Sequence, residues 1–210
     1  MDYPEEWNKL PRHERRKKIK ELNRKKENKA LMIKKIRNTT IVLILMGLIV
    51  FFFIQLTKKT PQQIEFKSKV KSASLEGRVK KYPIEGRTHI AASTNVSYQT
   101  NPPTSGNHLL QPQDWGVYDS EIDEKATVHS LEHGGIWITY KDINDEDKAL
   151  LKSIGKENSQ SVIVSPRLEN DGKIAVVSWG KMMKLDTVDK AIIQKYIDTY
   201  KNQSPEKLAR

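Results

Sequence analysis

The sequence predicts an α+β protein: a single N-terminal transmembrane helix, then one compact extracytoplasmic domain with a small antiparallel or mixed sheet and two to three helices. Three observations lead there. Twenty consecutive uncharged residues, 38–57, carry the apolar centre IVLILMGLIVFFFI at residues 41–54. Basic charge gathers ahead of that run: residues 1–37 hold 14 Lys and Arg against 6 Asp and Glu, a net of +8 within the chain's +11. Behind it, short β-rich runs alternate with capped helical segments, the pattern of strands and helices that share one core.

Residues 1–37 are expected to form a basic cytoplasmic head, helical after Pro11, with sparse apolar positions at Ile19, Leu22, Ala30, Ile33 and Ile36. Residues 38–57 follow as the span, since twenty helical residues at 1.5 Å each reach about 30 Å, the thickness of a bilayer's hydrocarbon core. A cleaved signal peptide has a short basic head and a small-residue exit, and this segment has neither. The Lys/Arg bias sets direction. Eight lie in residues 20–37 against five in 58–75, so the N-terminus is expected in the cytoplasm and residues 58–210 outside, in the cell envelope. The bilayer, with anionic lipid headgroups at the basic head, is the expected partner. No nucleic-acid partner is expected, because topology already accounts for these charges.

Residues 58–78, rich in Lys and Ser, read as a stalk, and residues 79–210 as the folded domain. Within it the sequence predicts a strand near Asn95–Tyr98, a loop over NPPTSGNH at 101–108, and a helix from Asp123 to His133 stopped by Gly134 and Gly135. The apolar run Ile136–Tyr140 reads as a buried strand. Asn144 can cap a helix over Asp145–Ile154, with Gly155 just past its end. Ser161–Ser165 and Lys173–Trp179 are β-rich and joined through ENDG, a hairpin signal. Thr187 can cap a last helix to Tyr200, its apolar stripe being Ile192, Ile193, Tyr196, Ile197 and Tyr200.

The chain has no cysteine, which excludes disulfides, thiolate zinc sites, iron–sulfur clusters and a Cys nucleophile. It has five histidines, and four of them, His89, His108, His129 and His133, fall within 45 residues, with none in the 77 residues after His133. His129 and His133, four apart in VHSLEHGG, would share one face of a helix, which is metal-ligand spacing. His108 ends a loop whose prolines and Gly106 can hold it rigidly, and His89 can complete the set or support it. Glu132, Asp119 and Glu121 are carboxylates that can ligate or orient an imidazole. Imidazole suits copper or zinc alike. Met182 and Met183 can offer thioethers to Cu(I) but read more readily as core. His129–His133 also matches H-x-x-E-H, in which two His bind zinc and the Glu is general base of a hydrolase; the helix-breaking glycines directly after it count against that reading. Ser105 lacks the elbow of a nucleophilic serine, and the residues as a whole favour binding over catalysis.

The words GRTHI (86–90), NPPTSGNH (101–108), WGVYD (115–119), VHSLEHGGIWITY (128–140) and SWGK (178–181) resemble those of an uncharacterised bacterial family, domain of unknown function 3105 (DUF3105). The resemblance covers roughly residues 75–200. It implies an extracytoplasmic domain in a bacterial envelope, with family histidines matching His89, His108, His129 and His133, and it brings no activity with it. The expectation is therefore a single-pass envelope protein whose outer domain binds a transition metal, copper or zinc, through these four histidines. The alternative is a non-catalytic interaction module in which the PPTSG loop and Trp115, Trp137 and Trp179 form a surface for an envelope partner and the histidines are structural.

Overall fold

The structure is a computed structural model that describes residues 4–210. The chain divides into two compact units, Met1–Thr60 and Pro61–Arg210.

In the first unit a 3-10 turn, Glu5–Lys9, leads through Pro11 into helix α1, Arg12–Thr57, of 46 residues. At 1.5 Å per residue α1 is about 70 Å long, and it carries the basic head and the apolar run in one unbroken rod. It is one helix long and apolar enough to cross a membrane. The hydroxyls of Thr39 and Thr40, where the apolar run begins, both donate to the carbonyl of Ile36, at 2.8 and 2.9 Å. Their polar groups are thus satisfied within the helix, as an apolar surrounding requires.

The second unit is organised on a mixed six-stranded sheet in the order β1-β8-β7-β5-β6-β4. The strands are β1 Val79–Lys81, β4 Gly116–Val117, β5 Ile136–Tyr140, β6 Val162–Pro166, β7 Ile174–Ser178 and β8 Lys181–Leu185. β5 is parallel to β6 and antiparallel to β7, and it is buried along its whole length. Alternate residues supply two cores. Ile136 and Ile138, with Val162, Val164, Ile174, Val176 and Met183, meet helices α4 (Asp145–Glu157) and α5 (Lys190–Tyr200) through Leu151, Ile154, Ile193, Tyr196 and Ile197. On the opposite face Trp137, Ile163, Ala175, Val177 and Met182 meet helix α3 (Glu124–Glu132) through Val128 and Leu131. Met182 and Met183 are core on opposite faces, so neither offers a thioether to an ion. A second, two-stranded parallel pair, β2 (His89–Ile90) and β3 (His108–Leu109), lies outside the main sheet.

Several expectations change. Residues 79–210 hold three helices, α3, α4 and α5, within the two to three expected, and the unit adds a fourth ahead of them. The additional one is α2, Pro61–Ser72, formed from residues whose composition suggested a stalk; its Val70 is buried, and α2 packs against α5. Residues 95–98 form no strand; the Tyr98 hydroxyl donates to the carbonyl of Asn107 at 2.8 Å, and the following Gln99 amide donates to Glu85 Oε2 at 2.7 Å. ENDG closes no hairpin. Asn170, buried, exchanges hydrogen bonds with Thr139 of β5 at 2.9 and 3.0 Å, so the connection crosses the end of β5 and delivers β7 to its other side. The tight hairpin is β7–β8, turning at Trp179 and Gly180. α4 runs through Gly155 rather than ending before it. A Cβ there would stand 2.7 Å from methyls of both Val117 and Val164, so the glycine lets the helix lie close on the sheet. The cap of α5 is Asp189, which accepts from the amides of Ala191 and Ile192, not Thr187.

Candidate metal centre

Three short pieces of chain assemble the site on the α3 side of the sheet. In the β2–β3 ladder His89 is the register partner of His108, which brings their ring centroids to 5.1 Å. α3 is started by Asp123, whose carboxylate accepts from the Lys125 and Ala126 amides, and in its last turn it presents His129 and Glu132, three residues apart and on one side. The ring of His129 lies 4.7 Å from that of His108 and 4.8 Å from that of His89. One ligand atom from each of His89, His108, His129 and Glu132 falls within 4.8 Å of every other, a cluster that can hold a metal ion. Four donors at about 2.0–2.1 Å from a tetrahedral ion stand roughly 3.4 Å apart, so closure needs little more than an ångström of movement. His108, His129 and Glu132 are buried, and His89 is the exposed member.

Two backbone contacts set the imidazoles for ligation. His108 Nδ1 lies 2.8 Å from the carbonyl oxygen of Gly106 and His129 Nδ1 2.7 Å from that of Leu109. A carbonyl only accepts, so each Nδ1 carries the proton and donates it, which leaves each Nε2 with its lone pair. This is how metal-binding histidines are commonly oriented. Burial, the largest effect, pushes both rings below the ordinary histidine range, and the neighbouring imidazoles push the same way. The backbone bonds oppose it, as does Glu132 in the case of His108. Neutral, ligand-ready imidazoles are therefore favoured.

The buried polar atoms of the cluster are short of partners. His108 Nε2 is 3.0 Å from Glu132 Oε2, yet the two are not in hydrogen-bonding geometry, and with Nδ1 protonated both atoms are acceptors. Arg87 Nε is 2.9 Å from Glu132 Oε1 but also off the line a hydrogen bond needs, so Oε1 is buried without a hydrogen-bond partner. Unsatisfied buried acceptors cost about 1–3 kcal/mol each, and facing acceptors are what a shared cation relieves.

The sequence-derived candidates divide accordingly. His89, His108 and His129 come together. His133 stands beside them, its ring 4.3 Å from that of His129, but its Nε2 is 2.9 Å from Glu206 Oε2. Glu132 is the fourth member of the cluster that can hold an ion, so the H-x-x-E-H stretch contributes His129 and Glu132 to that cluster. Asp119 is paired with Lys152, and Glu121 accepts from the Leu168 amide. Ser105 Oγ accepts from the Glu85 amide. Trp137 and Trp179 are buried in the core rather than spread on a surface, and Trp179 lies edge-on to His108 at 6.3 Å.

Two contributors were missed in the sequence. One is Arg87, at the mouth of the cluster. The other is the segment 202–210, which straps the end of α3: the amides of Asn202, Glu206 and Leu208 donate to the carbonyls of Gly134, Glu132 and His133 at 2.9, 3.1 and 2.9 Å. Gly134, at φ +93°, is required there, since a Cβ would stand 2.3 Å from Asn202 Oδ1. No short-range pattern links positions some seventy residues apart.

The sequence profile of the family described as "Protein of unknown function (DUF3105)" matches residues 89–210, more than half of the chain. The chain belongs to this family. The DUF3105 region takes in His89, His108, His129 and Glu132 together, and its first residue is His89 itself. No curated protein and no solved structure matches the chain.

Proposed function

We propose that the unit Pro61–Arg210 binds one divalent transition metal ion, zinc or copper(II), through His89, His108, His129 and Glu132. The observation that carries this reading is the buried His108 Nε2, without a hydrogen-bond partner and 3.0 Å from Oε2 of the buried Glu132, with the Nδ1 of both buried histidines tied to backbone carbonyls. Three imidazoles and one carboxylate form a borderline donor set suited to zinc or copper(II), while the absence of sulfur disfavours copper(I). We further read the protein as a single-pass membrane protein with its basic head in the cytoplasm, against anionic lipid, and the metal-binding domain in the cell envelope. The apolar length of α1 and the Lys/Arg bias support this. An envelope protein partner is compatible with that placement.

The test is metal content by elemental analysis of the full-length protein in detergent, with folding followed by circular dichroism. One equivalent of metal is expected in the wild type and in His133→Ala, and far less in the folded variants His108→Ala and Glu132→Gln. A wild type that takes up none of zinc, copper or cobalt refutes the reading, and loss of metal in His133→Ala alone reassigns the ligands.

A further inference from the structure

Resting on the metal reading above, we propose that the centre takes a small oxyanion on its open side, a carboxylate, bicarbonate or phosphate, with one oxygen entering as a fifth ligand beside the four protein donors and another on the guanidinium of Arg87. The cluster has three buried members and one exposed edge. His108, His129 and Glu132 are 0 %, 5 % and 3 % exposed, whereas Arg87, Thr88 and His89 are all exposed. Anything arriving from solvent therefore meets the metal between His89 and Arg87.

Charge argues for an anion. With neutral imidazoles, a divalent ion and the single Glu132 carboxylate leave one positive charge, and Arg87 adds another within 2.9 Å of that carboxylate. Excess positive charge beside groups this buried is costly unless compensated. Glu206, the next carboxylate, is already engaged by His133.

The chemistry of Arg87 argues for an oxyanion in particular. Its only polar contact among the described residues is the misaligned approach of Nε to Glu132, so both terminal nitrogens retain their donors. A guanidinium presents directed N–H donors to an oxygen whose partner oxygen is on the metal, a bridge that a halide, with a single atom, cannot make and a lysine ammonium meets only as a point charge. Arg87 lies two residues before His89, at the start of the β2 edge, so one short segment holds both a metal ligand and the anion-recognising group.

The experiment uses full-length protein in detergent, loaded with cobalt(II), whose visible absorption reports changes in coordination. Cobalt stoichiometry is read first. The loaded protein is then titrated at fixed pH with acetate, bicarbonate, phosphate and, for comparison, chloride. A saturable spectral change is expected with at least one oxyanion at concentrations where chloride has none. Arg87→Gln should keep its cobalt but bind that oxyanion about tenfold or more weakly, the loss of one charge-assisted hydrogen bond, and Arg87→Lys should fall between. The oxyanion that responds identifies the source: acetate for organic acids, bicarbonate or phosphate for inorganic anions. The proposal is overturned if loaded protein responds to no oxyanion, if chloride serves equally, or if Arg87→Gln responds like wild type. If no cobalt binds at all, the metal reading fails and takes this inference with it, an outcome the first measurement separates from the rest.

Discussion

Replacing Glu132 by Gln should move two measurable quantities in opposite directions. In the metal-free protein Glu132 Oε2 and His108 Nε2 are acceptors facing each other at 3.0 Å in a buried site. An amide nitrogen there removes the opposition of two acceptors, and after a small rotation of the side chain it donates to His108 Nε2, a net gain of up to about 1 kcal/mol. The loss of the ion pair with the largely exposed Arg87 subtracts little. Metal-free Glu132→Gln should therefore unfold at an equal or higher urea midpoint than wild type. The metal-bound state behaves otherwise. Outer-sphere changes alone weaken metal sites roughly 10–100-fold, and loss of a charged ligand should cost at least the upper figure. With metal at about 100 times the wild-type Kd, the wild type gains about 2.7 kcal/mol and the variant about 0.4. For a domain of this size that is a thermal shift of roughly 5–11 °C against one of roughly 1–2 °C. Differential scanning calorimetry of chelated and zinc-loaded protein measures both effects. A variant that is less stable without metal, yet is stabilised by zinc as much as wild type, would refute the assignment of Glu132 as the anionic ligand.

Two further outcomes follow from the same geometry. Gly155→Ala, which drives a Cβ to 2.7 Å from the methyls of Val117 and Val164, should cost about 1–3 kcal/mol by overpacking and leave metal stoichiometry at one; urea unfolding and elemental analysis check the two halves. The pH dependence of the chelated protein is set by His108 and His129, both held below the ordinary value of about 6.5 by burial. The unfolded state then binds more protons, so the stability these groups leave intact is fully present above about 6.5 and is lost as pH falls toward their lowered native values. The urea midpoint should fall between pH 7.5 and 5.5, and less steeply in His108→Asn; a midpoint that holds or rises on acidification contradicts the burial argument.

Much of the helix and strand content was legible because the signals were local. The run Ile136–Tyr140 reads as a buried strand, Asn144 announces the start of α4 by capping chemistry, and the helix expected from Asp123 is α3, for which Asp123 proves to be the cap. What escaped was every decision made by a distant partner. ENDG has the composition of a hairpin, yet the Asn170 side chain is spent on Thr139, and a crossover results. Gly155 has the composition of a helix stop, yet two valine methyls thirty-eight residues before it and nine after it explain it. Residues 61–72 lack the apolar density of a core helix, and a single buried valine, with packing against α5, is enough to seat them.

The site shows the same division within a single turn of helix. A spacing of four predicts that His129 and His133 converge, and their rings do meet, with centroids 4.3 Å apart. What the spacing does not predict is the partner of His133: it occupies the cap of α3 with ψ near 2° before Gly134 turns to positive φ, and its Nε2 lies 2.9 Å from Glu206 Oε2. The pair that joins His89 and His108 in the cluster is His129 and Glu132, a three-residue step that lies wholly inside the helix. Glu206 enforces the choice, since its amide holds the Glu132 carbonyl while its carboxylate holds the His133 ring. On the proposed ligand set, a carboxylate in place of a fourth imidazole brings a negative charge to donors that would otherwise be wholly neutral. That charge would favour a divalent ion over a monovalent one, and it is the charge that Arg87 Nε approaches at 2.9 Å.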